Sequence, residues 1–461
     1  MEDFLDVIKQ ILIVLYWFCA VNIIYYTFLY LMGFIFHNQK YPIVEDKEKF
    51  CIFVPCHNEG PVVASTVENY THIEYNPDLF DIYFIADNCS DDTASILERS
   101  IALSGKSNFH VLVRNDSDPN KRGKPYAIRW ALDGLEAKDC FYNKYDMMMI
   151  LDADNFVDAG ILRHVNSQFL SIKGKKPAMI QTYLDSKNNK GLVARGYFEA
   201  YRVTNAFWQI SKQKLHLVPA IGGTGFAATT EFIKEIGGYN CKSLTEDLEI
   251  QTIATVKNRR IMYNGNVRIY DEKPTRIAQS FVQRTRWAQG HWYLFFKYTP
   301  ILFIQLFNPF TIRSFFRKLD VILYLAARLF GIVAVFALLL NCFYIVCSWI
   351  MHFDSSYLPL WVQIMNYCIL ALSLIVVPAS SLYDGSKEEK KRIVIDFVPN
   401  VLGLYLVGLI DMIIGFPGLF KCHNQKVWKK TTHKIVAMDQ TMVHQEEKIC
   451  KEKHSVKPVR A

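Results

Sequence analysis

The 461-residue sequence lacks the cysteine and charge patterns of several protein classes. Its eleven cysteines form no C-x-x-C pair and no cluster with histidine, which argues against a zinc site or a disulfide framework. The net charge is only +8, and the basic residues gather at 121–124, at 387–392 and after Lys421, the last two beside apolar segments. Such clusters are typical of membrane topology and argue against a nucleic-acid partner. We find no internal repeat or low-complexity segment.

Charged residues are also missing from Ile11 to Phe36, a stretch of about 26 residues that is long enough to cross a bilayer. It has no basic n-region and no small-residue cleavage site, so we expect a retained anchor and not a signal peptide. The segment 281–316 is amphipathic and predicts helices at the membrane interface. Three later stretches predict further spans: 321–350, 358–383 and 393–420.

Arg328 and Asp411 interrupt otherwise apolar parts of these later spans, and we expect them to face protein or a polar path. If all three later stretches crossed, the basic tail near Trp428 would lie outside the cell, against the charge rule. Pro399 and Pro417 allow the last stretch to be broken or re-entrant. We therefore expect the tail to return to the cytosol.

The middle of the chain alternates short apolar runs, polar loops and helical patterns. The runs are 49–55, 81–87, 110–114, 146–151 and 179–183. This alternation predicts parallel βαβ units. In such sheets ligands bind beyond the carboxyl ends of the strands, where Glu59 and Asp87 fall.

Asp152 and Asp154 follow the fourth run and are separated by one residue. If the strand reaches Asp152, alternation puts both carboxylates on the same side of the backbone. Such a pair favours a cation between them, and oxygen ligands suit Mg²⁺ or Mn²⁺. A capped turn after the strand explains the same residues without a metal.

Two further segments combine a flexible or capped backbone with reactive side chains. Gly222 to Phe226 is a glycine-rich turn that permits close approach of a ligand, although a tight structural turn is an equal explanation. Thr245-Glu246-Asp247 offers a carboxylate pair at the start of a predicted helix. Thr245 is also a plausible N-cap, so helix capping is the alternative.

The segment Gln283-Arg284-Thr285-Arg286-Trp287 closes the polar part of the chain just before it becomes hydrophobic. A guanidinium fork suits a diphosphate, and an indole offers a flat face to a sugar ring. The alternative for Trp287 is a membrane-interface anchor like Trp292, a common role of tryptophan.

In their order, these motifs resemble those of the membrane-embedded glycosyltransferase family 2 synthases, which include cellulose, chitin and hyaluronan synthases and bacterial capsule or exopolysaccharide synthases. The resemblance covers about residues 48–292, through the motifs Pro55–Glu59, Asp87, Asp152-x-Asp154, Thr245-Glu246-Asp247 and Gln283-x-x-Arg286-Trp287. It implies a GT-A-like α/β domain with a Rossmann-like mixed sheet in the cytosol. An α-helical transmembrane domain with interfacial amphipathic helices would complete the chain.

The resemblance also implies roles for individual residues. On the donor side, Glu59 and Asp87 would hold the uridine of a UDP-sugar, and Pro55, Lys124, Asp152 and Arg286 would also contact the donor. Asp154 would coordinate Mg²⁺ or Mn²⁺ on the diphosphate, and Asp247 would be the general base. Trp287 would stack on the acceptor sugar, with Gln283 and Glu246 beside it.

The function implied is an inverting, processive β-glycosyltransferase that polymerises a sugar from a UDP-sugar and moves the polysaccharide across the membrane. Glucose is the first expectation for the sugar and N-acetylglucosamine the second. Only one predicted span precedes the catalytic domain, whereas cellulose synthases have more. The family's channel therefore cannot be transferred to this chain residue by residue.

Two other functions are compatible with part of this pattern. A non-processive transferase that adds one sugar to a lipid or protein would share Glu59, Asp87, Asp152 and Asp154 but would not need the Gln283-to-Trp287 motif followed by several spans. A transporter or scaffold would use the central domain only to bind nucleotide.

The predicted protein is a multi-pass plasma-membrane enzyme with a cytosolic catalytic domain. Its partners would be the UDP-sugar, the growing polysaccharide and membrane lipid, with no nucleic acid, and its oligomeric state is left open. The predicted division is an anchor at 1–40, a glycosyltransferase domain at 41–292, interfacial helices at 293–319, channel-forming transmembrane helices at 320–425 and a basic tail at 426–461.

Overall fold

The computed structural model describes residues 2–118, 121–307, 311–350, 360–385 and 387–425. Within them, one mixed β-sheet forms the centre of an α/β domain. Its strands are β1 Phe50–Cys56, β2 Phe80–Asp87, β3 Phe109–Arg114, β4 Met147–Ile150, β5 Phe156–Val157, β6 Met179–Ser186, β7 Phe226–Thr229 and β8 Ile261–Asp271. Their order across the sheet is β3-β2-β1-β4-β7-β6-β8-β5.

One half of this sheet is parallel, as the alternating runs predict. β1 pairs in parallel with β2 and β4, and β2 pairs in parallel with β3. β1 and β4 are buried on both faces, which is usual where helices cover both sides of a parallel sheet. β7 runs antiparallel to β4 and β6 and makes the sheet mixed. The carboxyl ends of β1, β2 and β4 therefore share one edge.

Helices cover the sheet and continue into the apolar part of the chain. The first ten are α1 Glu2–Ile35, α2 Gly60–Tyr70, α3 Thr93–Ser104, α4 Lys124–Asp139, α5 Phe141–Lys144, α6 Ile161–Ser171, α7 Leu192–Val203, α8 Ile210–Lys214, α9 Thr230–Glu235 and α10 Glu246–Val256. A π-helical turn, Thr204–Gln209, joins α7 to α8. The helices that follow β8 are α11 Ile277–Leu306, α12 Ile312–Leu325, α13 Ala327–Ile350, α14 Leu360–Asp384, α15 Lys387–Lys391 and α16 Ile393–Lys421.

Three helices of the described chain are long and apolar enough to cross a membrane, namely α1 from Asp3, α13 and α16. The span predicted from residue 321 begins only at Ala327, because α12 continues to Leu325. The stretch predicted at 358–383 forms α14, a helix of 25 residues whose sequence has no charged residue before Asp384. The predicted division between 292 and 293 falls inside α11, which is continuous there. The predicted tail at 426–461 lies outside the described residues.

Trp292 corrects one of the sequence interpretations. Its side chain is only 2% exposed, and its Nε1–H donates to the carbonyl oxygen of Gly415 at 3.0 Å. Phe296 stacks on it at a ring-centroid distance of 5.8 Å. Trp292 is therefore a packing residue between α11 and α16, and the interpretation as a membrane-interface anchor is wrong for it.

Candidate active site

A single cavity of about 580 Å³ lies at the carboxyl edge of the parallel strands. All eleven residues that the sequence singled out line it. They are Pro55, Glu59, Asp87, Lys124, Asp152, Asp154, Glu246, Asp247, Gln283, Arg286 and Trp287. Residues up to 232 positions apart in the sequence thus line the same cavity. This is possible because β1, β2 and β4 end at the same edge of the sheet, and because α10 and α11 cover that edge.

At one end of the cavity, Asp87 is held by Arg114. Asp87 ends β2 and Arg114 ends β3, and the two are partners in the strand register. Arg114 Nη1 donates to Asp87 Oδ1 at 2.6 Å, and Nη2 donates to Asp116 Oδ2 at 2.7 Å and to the Lys121 carbonyl at 2.8 Å. Arg114 therefore fixes the Asp87 carboxylate and ties the loop before Lys124 to it. The sequence interpretation missed this residue, although its place at the end of a parallel strand was a usable signal.

The Asp152-x-Asp154 pair lies in a turn beyond the end of β4. The strand ends at Ile150, so the alternation argument does not apply to these carboxylates. The Asp152 N–H donates to Asn155 Oδ1 at 3.0 Å and to Thr224 Oγ1 at 3.1 Å, which shows that the backbone has left the strand ladder. Asp154 is 4% exposed, and its Oδ2 accepts the Glu272 N–H at 3.0 Å.

A lysine already supplies part of the positive charge expected between the two carboxylates. Lys124, the first residue of α4, donates from Nζ to Asp152 Oδ1 at 2.5 Å and to the Gly223 carbonyl at 2.6 Å. The same ammonium lies 3.8 Å from Glu246 Oε1. Lys124 thus connects the donor side of the cavity to the Thr245-Glu246-Asp247 motif.

The residues present fit a divalent cation that is shared with a substrate. Among the described residues no group of three or more His, Cys, Asp or Glu side chains could hold a metal by itself. Mg²⁺ usually binds one or two carboxylates together with substrate phosphates and waters. Asp154, with Asp152 nearby, offers that partial set at the edge of a cavity large enough for a nucleotide sugar.

The carboxylate pair opens α10. Thr245 precedes this helix, but its side chain makes no capping hydrogen bond, so the predicted capping role of Thr245 is wrong. Asp247 Oδ1 instead accepts the Leu248 N–H at 2.8 Å. Burial, followed by the charge of Glu246, raises the pKa of Asp247 to about 7. A carboxyl group with that pKa is suited to general-base catalysis near neutral pH.

The glycine turn lies directly against this base. Gly223 and Gly225 have φ values of +82° and +63°, which other residues rarely adopt. A Cβ on Gly223 would lie 3.3 Å from Asp247 Oδ2. Three buried glutamine side chains hold the backbone that leads into the turn. They accept hydrogen bonds from successive N–H groups: Gln209 from Ala220, Gln251 from Ile221 and Gln181 from Gly222. The turn is therefore a fixed wall of the cavity.

α11 carries the Gln283-to-Trp287 motif along the opposite wall. Positions 283, 286 and 287 lie on one face because helical neighbours are three or four residues apart. Tyr197 donates to Gln283 Oε1 at 3.4 Å and meets the Trp287 ring edge-on, with ring centroids 6.4 Å apart. Burial raises the pKa of Glu246, and the positive charge of nearby Arg286 partly opposes this rise.

The cavity continues past Trp287 to the base of the apolar helices, where His291, Tyr324 and Arg328 line it. Arg328 Nη1 lies 2.8 Å from Asp411 Oδ1, and Arg284 Nη1 lies at the same distance from that oxygen. The expectation that Arg328 and Asp411 face protein is confirmed. His291 and Tyr324 were not predicted, because neither belongs to a recognisable motif.

His291 is neutral in this environment. Its Nε2 lies 3.1 Å from the Tyr324 carbonyl and 3.0 Å from the Leu325 carbonyl, so Nε2 carries the proton and donates. Burial, followed by the charge of Arg328, lowers the pKa of His291 to about 4. The end of the cavity beside the apolar helices therefore combines a neutral imidazole, a phenol and a guanidinium.

Comparison with known families agrees with this geometry. A family model described as "Glycosyltransferase like family 2" matches residues 48–290, which is just over half of the chain. A poly-beta-1,6-N-acetyl-D-glucosamine synthase from Staphylococcus epidermidis is 22% identical over 417 residues, with 88% of this chain and 92% of the relative covered. A beta-monoglucosyldiacylglycerol synthase from Trichormus variabilis is 23% identical over 254 residues, with 54% of this chain and 50% of the relative covered. The chain spans from half to about nine-tenths of the length of its curated relatives.

Among solved structures, a mannosyltransferase from Pyrobaculum calidifontis in complex with GDP-Man and Mn²⁺ matches with a TM-score of 0.53 and 15% identity, covering 86% of this chain and 98% of that one. At this identity the likeness concerns the fold alone. The predicted fold class, a GT-A-like mixed α/β domain accompanied by helices apolar enough to span a membrane, is confirmed.

Proposed function

Because this chain belongs to the glycosyltransferase-like family 2, we propose that it is an inverting, processive enzyme that polymerises a sugar from a UDP-sugar donor and passes the polymer to the membrane. It is a glycosyltransferase by its family. The product, the donor and the roles of individual residues belong to the proposal.

One observation carries the proposal. The cavity that contains the eleven predicted residues extends from Asp87 to Arg328, that is, from the sheet edge to the base of an apolar helix. A donor at the sheet edge and an acceptor on Trp287 would meet at Asp247. The acceptor would then point toward the apolar helices, which suits a product that leaves through or along the membrane.

The transfer step follows from the position of Asp247. Its carboxylate takes the proton of the acceptor hydroxyl while the hydroxyl oxygen bonds to the anomeric carbon of the donor. The bond between that carbon and the diphosphate oxygen breaks, and UDP leaves with the electron pair. A positioned general base contributes roughly 10²–10⁴-fold to such a rate. The Gly223 turn and Trp287 would keep the acceptor hydroxyl aligned with the base.

The leaving diphosphate gains negative charge, and two cationic side chains line the cavity where it would form. Arg286 offers a planar fork of donors, and Lys124 offers an ammonium that currently contacts Asp152. Asp154, with Asp152 nearby, would hold Mg²⁺ or Mn²⁺, which supplies further positive charge to the diphosphate when bound. Glu59, Asp87 and Pro55 would hold the nucleoside.

The sugar is proposed as a hexose or an N-acetylhexosamine. The sequence resemblance favoured UDP-glucose. The relative that aligns over 88% of the chain is named for N-acetylglucosamine, which supports UDP-N-acetylglucosamine as an equal candidate. Since a GDP-sugar occupies the structural neighbour, the nucleotide itself should be included in the test.

A non-processive transfer to a lipid is the second candidate, supported by the relative named for glucosyldiacylglycerol synthesis. We prefer polymerisation because Gln283, Arg286 and Trp287 line the same cavity as the donor residues, and the alignment with the polysaccharide synthase continues into the apolar helices. The proposed location is the plasma membrane with the catalytic domain in the cytosol. Residues 320–425 would then contribute to the polymer path.

The deciding experiment is UDP release by the detergent-purified or nanodisc-embedded protein against a panel of UDP- and GDP-sugars, with Mg²⁺ or Mn²⁺, followed by product sizing. We expect one UDP-sugar to support release and to yield a polymer. A single-sugar glycolipid as sole product would favour the second candidate. No release with any nucleotide sugar would contradict both.

A further inference from the structure

α16 is as apolar as a membrane span, but its first turns are bound to the catalytic domain. Arg195 of α7 donates from Nη1 to Asp396 Oδ1 at 2.9 Å. One turn further on, Asn400 Nδ2 donates to Glu199 Oε1 at 2.7 Å, and Glu199 is fully buried. The N-terminal end of α16 therefore lies against the outer helix of the sheet domain.

The far end of α16 is bound to the same domain. Gln425, four residues beyond the helix, accepts the Leu244 N–H on Oε1 at 2.8 Å. Its Nε2 donates to the Gln289 carbonyl at 3.3 Å. Leu244 directly precedes Thr245, so the C-terminal end of α16 reaches the rim of the cavity.

The middle of the helix stays in contact between these two ends. A Cβ on Gly196 of α7 would lie 2.2 Å from the Gly403 carbonyl oxygen, so the two backbones touch. Asp411 pairs with Arg284 of α11 at 2.8 Å, and a Cβ on Gly418 would lie 2.4 Å from the Ala288 Cβ. α16 thus lies along the catalytic domain over its whole length.

This arrangement is incompatible with a transmembrane crossing by α16. The helix has 29 residues and is about 43 Å long at ~1.5 Å per residue. A crossing helix separates its ends by a hydrocarbon core of about 30 Å. A polar domain on one side of the bilayer cannot contact both ends of such a helix.

The face of α16 that points away from the domain is apolar and exposed. Its large exposed side chains recur every three or four residues, which places them on one stripe: Val394, Val398, Leu402, Tyr405, Leu409, Ile413, Phe416 and Phe420. The stripe extends from the first turn to the last. A continuous apolar stripe of this length on a helix whose other side is packed marks a lipid-facing surface.

The neighbouring helices indicate that the bilayer covers this stripe. α13 starts beside the middle of α16, where Arg328 contacts Asp411 at 2.8 Å. α14 ends at Asp384, which pairs with Arg268 of β8 at 2.7 Å. The chain therefore leaves the catalytic domain through α13 and returns to it through α14, next to α16. The basic segment 387–392 precedes α16, where anionic headgroups would be available.

We propose that α16 lies flat in the membrane surface on the catalytic side, with its apolar stripe in the lipid, and that α1, α13 and α14 are the crossing helices of the described chain. The chain at Gln425 is then on the same side as the active site. This agrees with the positive-inside rule for the lysines that follow in the sequence. The proposal is independent of which sugar is transferred or whether a polymer forms.

The first test measures membrane depth along the stripe. Single cysteines at Val394, Leu402, Leu409 and Phe420 would carry a nitroxide, after the accessible native cysteines are replaced by serine, in the full chain in bilayer nanodiscs. We expect all four labels at a similar, shallow depth. In a control series on α13, labels at Phe336 and Leu339, near the middle of the helix, should lie deep in the bilayer, and a label at Trp349, at its end, should be shallower. A depth maximum at Leu402 or Leu409 with shallow ends would overturn the proposal.

The second test uses two native cysteines as reporters of sidedness. Cys140 is exposed on the catalytic domain, and Cys422 is partly exposed directly after α16. A membrane-impermeant maleimide, with labelled peptides identified by mass spectrometry, should modify both in inside-out vesicles and neither in right-side-out vesicles. Labelling from opposite sides would overturn the proposal. If Cys422 reacts with neither preparation, the variant Gln425→Cys gives the same readout. Neither test depends on turnover, so its failure is separate from a failure of the proposed function.

Discussion

At the residue scale, Asp247 is a buried carboxyl group with a second carboxyl group, Glu246, next to it. Burial and the charge of Glu246 favour the protonated form and raise the pKa of Asp247 to about 7. Oδ1 of Asp247 accepts a hydrogen bond from the Leu248 N–H, and Oδ2 lies against the turn at Gly223. The group is thus both fixed in position and adjusted in basicity, which are the two requirements of a general base.

For Asp247→Asn we expect polymer formation to fall by roughly 10²-fold or more while UDP binding is kept. Asparagine retains an oxygen for the Leu248 N–H, so the start of α10 should be preserved. In the wild-type enzyme, UDP release should rise with pH through about 7, because Asp247 is a base only when deprotonated and its pKa is raised. Near-normal synthesis by the variant would support a purely structural role of Asp247 at the helix start.

For Asp154→Asn we expect the loss of metal-stimulated UDP binding with intact membrane insertion. The amide still offers an oxygen to the Glu272 N–H, so the turn should keep its shape. Calorimetric titration of UDP with and without Mn²⁺ measures the effect directly. The control is Asp133→Asn, an exposed carboxylate on α4 that pairs with Arg129. Equal stimulation by Mn²⁺ in wild type and Asp154→Asn would contradict a metal role for this residue.

For Trp287→Ala we expect polymer formation to stop while the UDP-sugar still binds, because a misplaced acceptor loses its alignment with Asp247, and small misplacements can cost about 10²-fold. Trp292 is not a suitable control, since it is buried. Trp349 is 79% exposed at the end of α13 and offers an anchor-type tryptophan for comparison. Similar mild defects in Trp287→Ala and Trp349→Ala would favour the anchor interpretation.

At the element scale, α11 and α16 connect the catalytic domain to the apolar helices. α11 turns one face, with positions 283, 286 and 287, toward the cavity and another, with Trp292, toward α16. The backbone of α16 comes close to its neighbours where glycine allows it, above all at the contact of Gly403 with α7. The geometry of the cavity therefore depends on backbone contacts as well as on the side chains that line it.

For Gly403→Ala we expect a loss of stability of about 1–3 kcal/mol, since overpacking forces backbone shifts. The added Cβ would lie 2.7 Å from the Leu192 carbonyl oxygen and 2.8 Å from the Gly196 nitrogen. Gly408→Ala is the matched control in the same helix, because its Cβ would meet no described atom within 4 Å. The thermal unfolding temperature, measured in detergent, should be lower for Gly403→Ala and unchanged for Gly408→Ala. Equal behaviour of the two variants would mean that the α7–α16 contact is not close in solution.

At the scale of the whole molecule, one cavity joins the sheet edge to the base of the apolar helices. Its donor end lies at Asp87 and its other end at Arg328, which Asp411 of α16 holds in place. An enzyme built in this way can extend a chain at one end of the cavity while the chain leaves at the other. A transferase that adds one sugar to a lipid would need only an opening through which the lipid headgroup enters the cavity.

For inside-out vesicles that receive the active UDP-sugar from outside, we expect polymer inside the vesicles. It should resist an added glycosidase until detergent opens the membrane, because the product would pass beyond the catalytic side as it grows. The control is polymer added to preformed vesicles, which should be digested at once. Full digestion of newly made polymer without detergent would contradict translocation, although it would leave polymerisation intact.

The sequence alone determined the alternation of strands and helices and eleven of the side chains that line the cavity, but not His291 or Tyr324. This was possible because the pattern of each strand and loop is local, and because parallel strands necessarily present their carboxyl ends at one edge. Glu59, Asp87 and Asp152 therefore had to be neighbours once the strands were recognised. Composition also located α13, apart from the five residues that α12 takes from the predicted second span. It located the first span as well, but α1 begins at Glu2 and not at Ile11.

Only the tertiary structure decided the partners of these residues and the course of α16. The bond from Arg114 to Asp87 depends on strand register. The bond from Lys124 to Asp152 depends on how α4 packs against β1 and β2. The burial of Trp292 and the flat course of α16 depend on which faces the helices share. Hydropathy reports how apolar a segment is but not what covers it. A 29-residue apolar helix therefore has the same sequence signature whether it crosses a bilayer or lies along its surface beneath the catalytic domain.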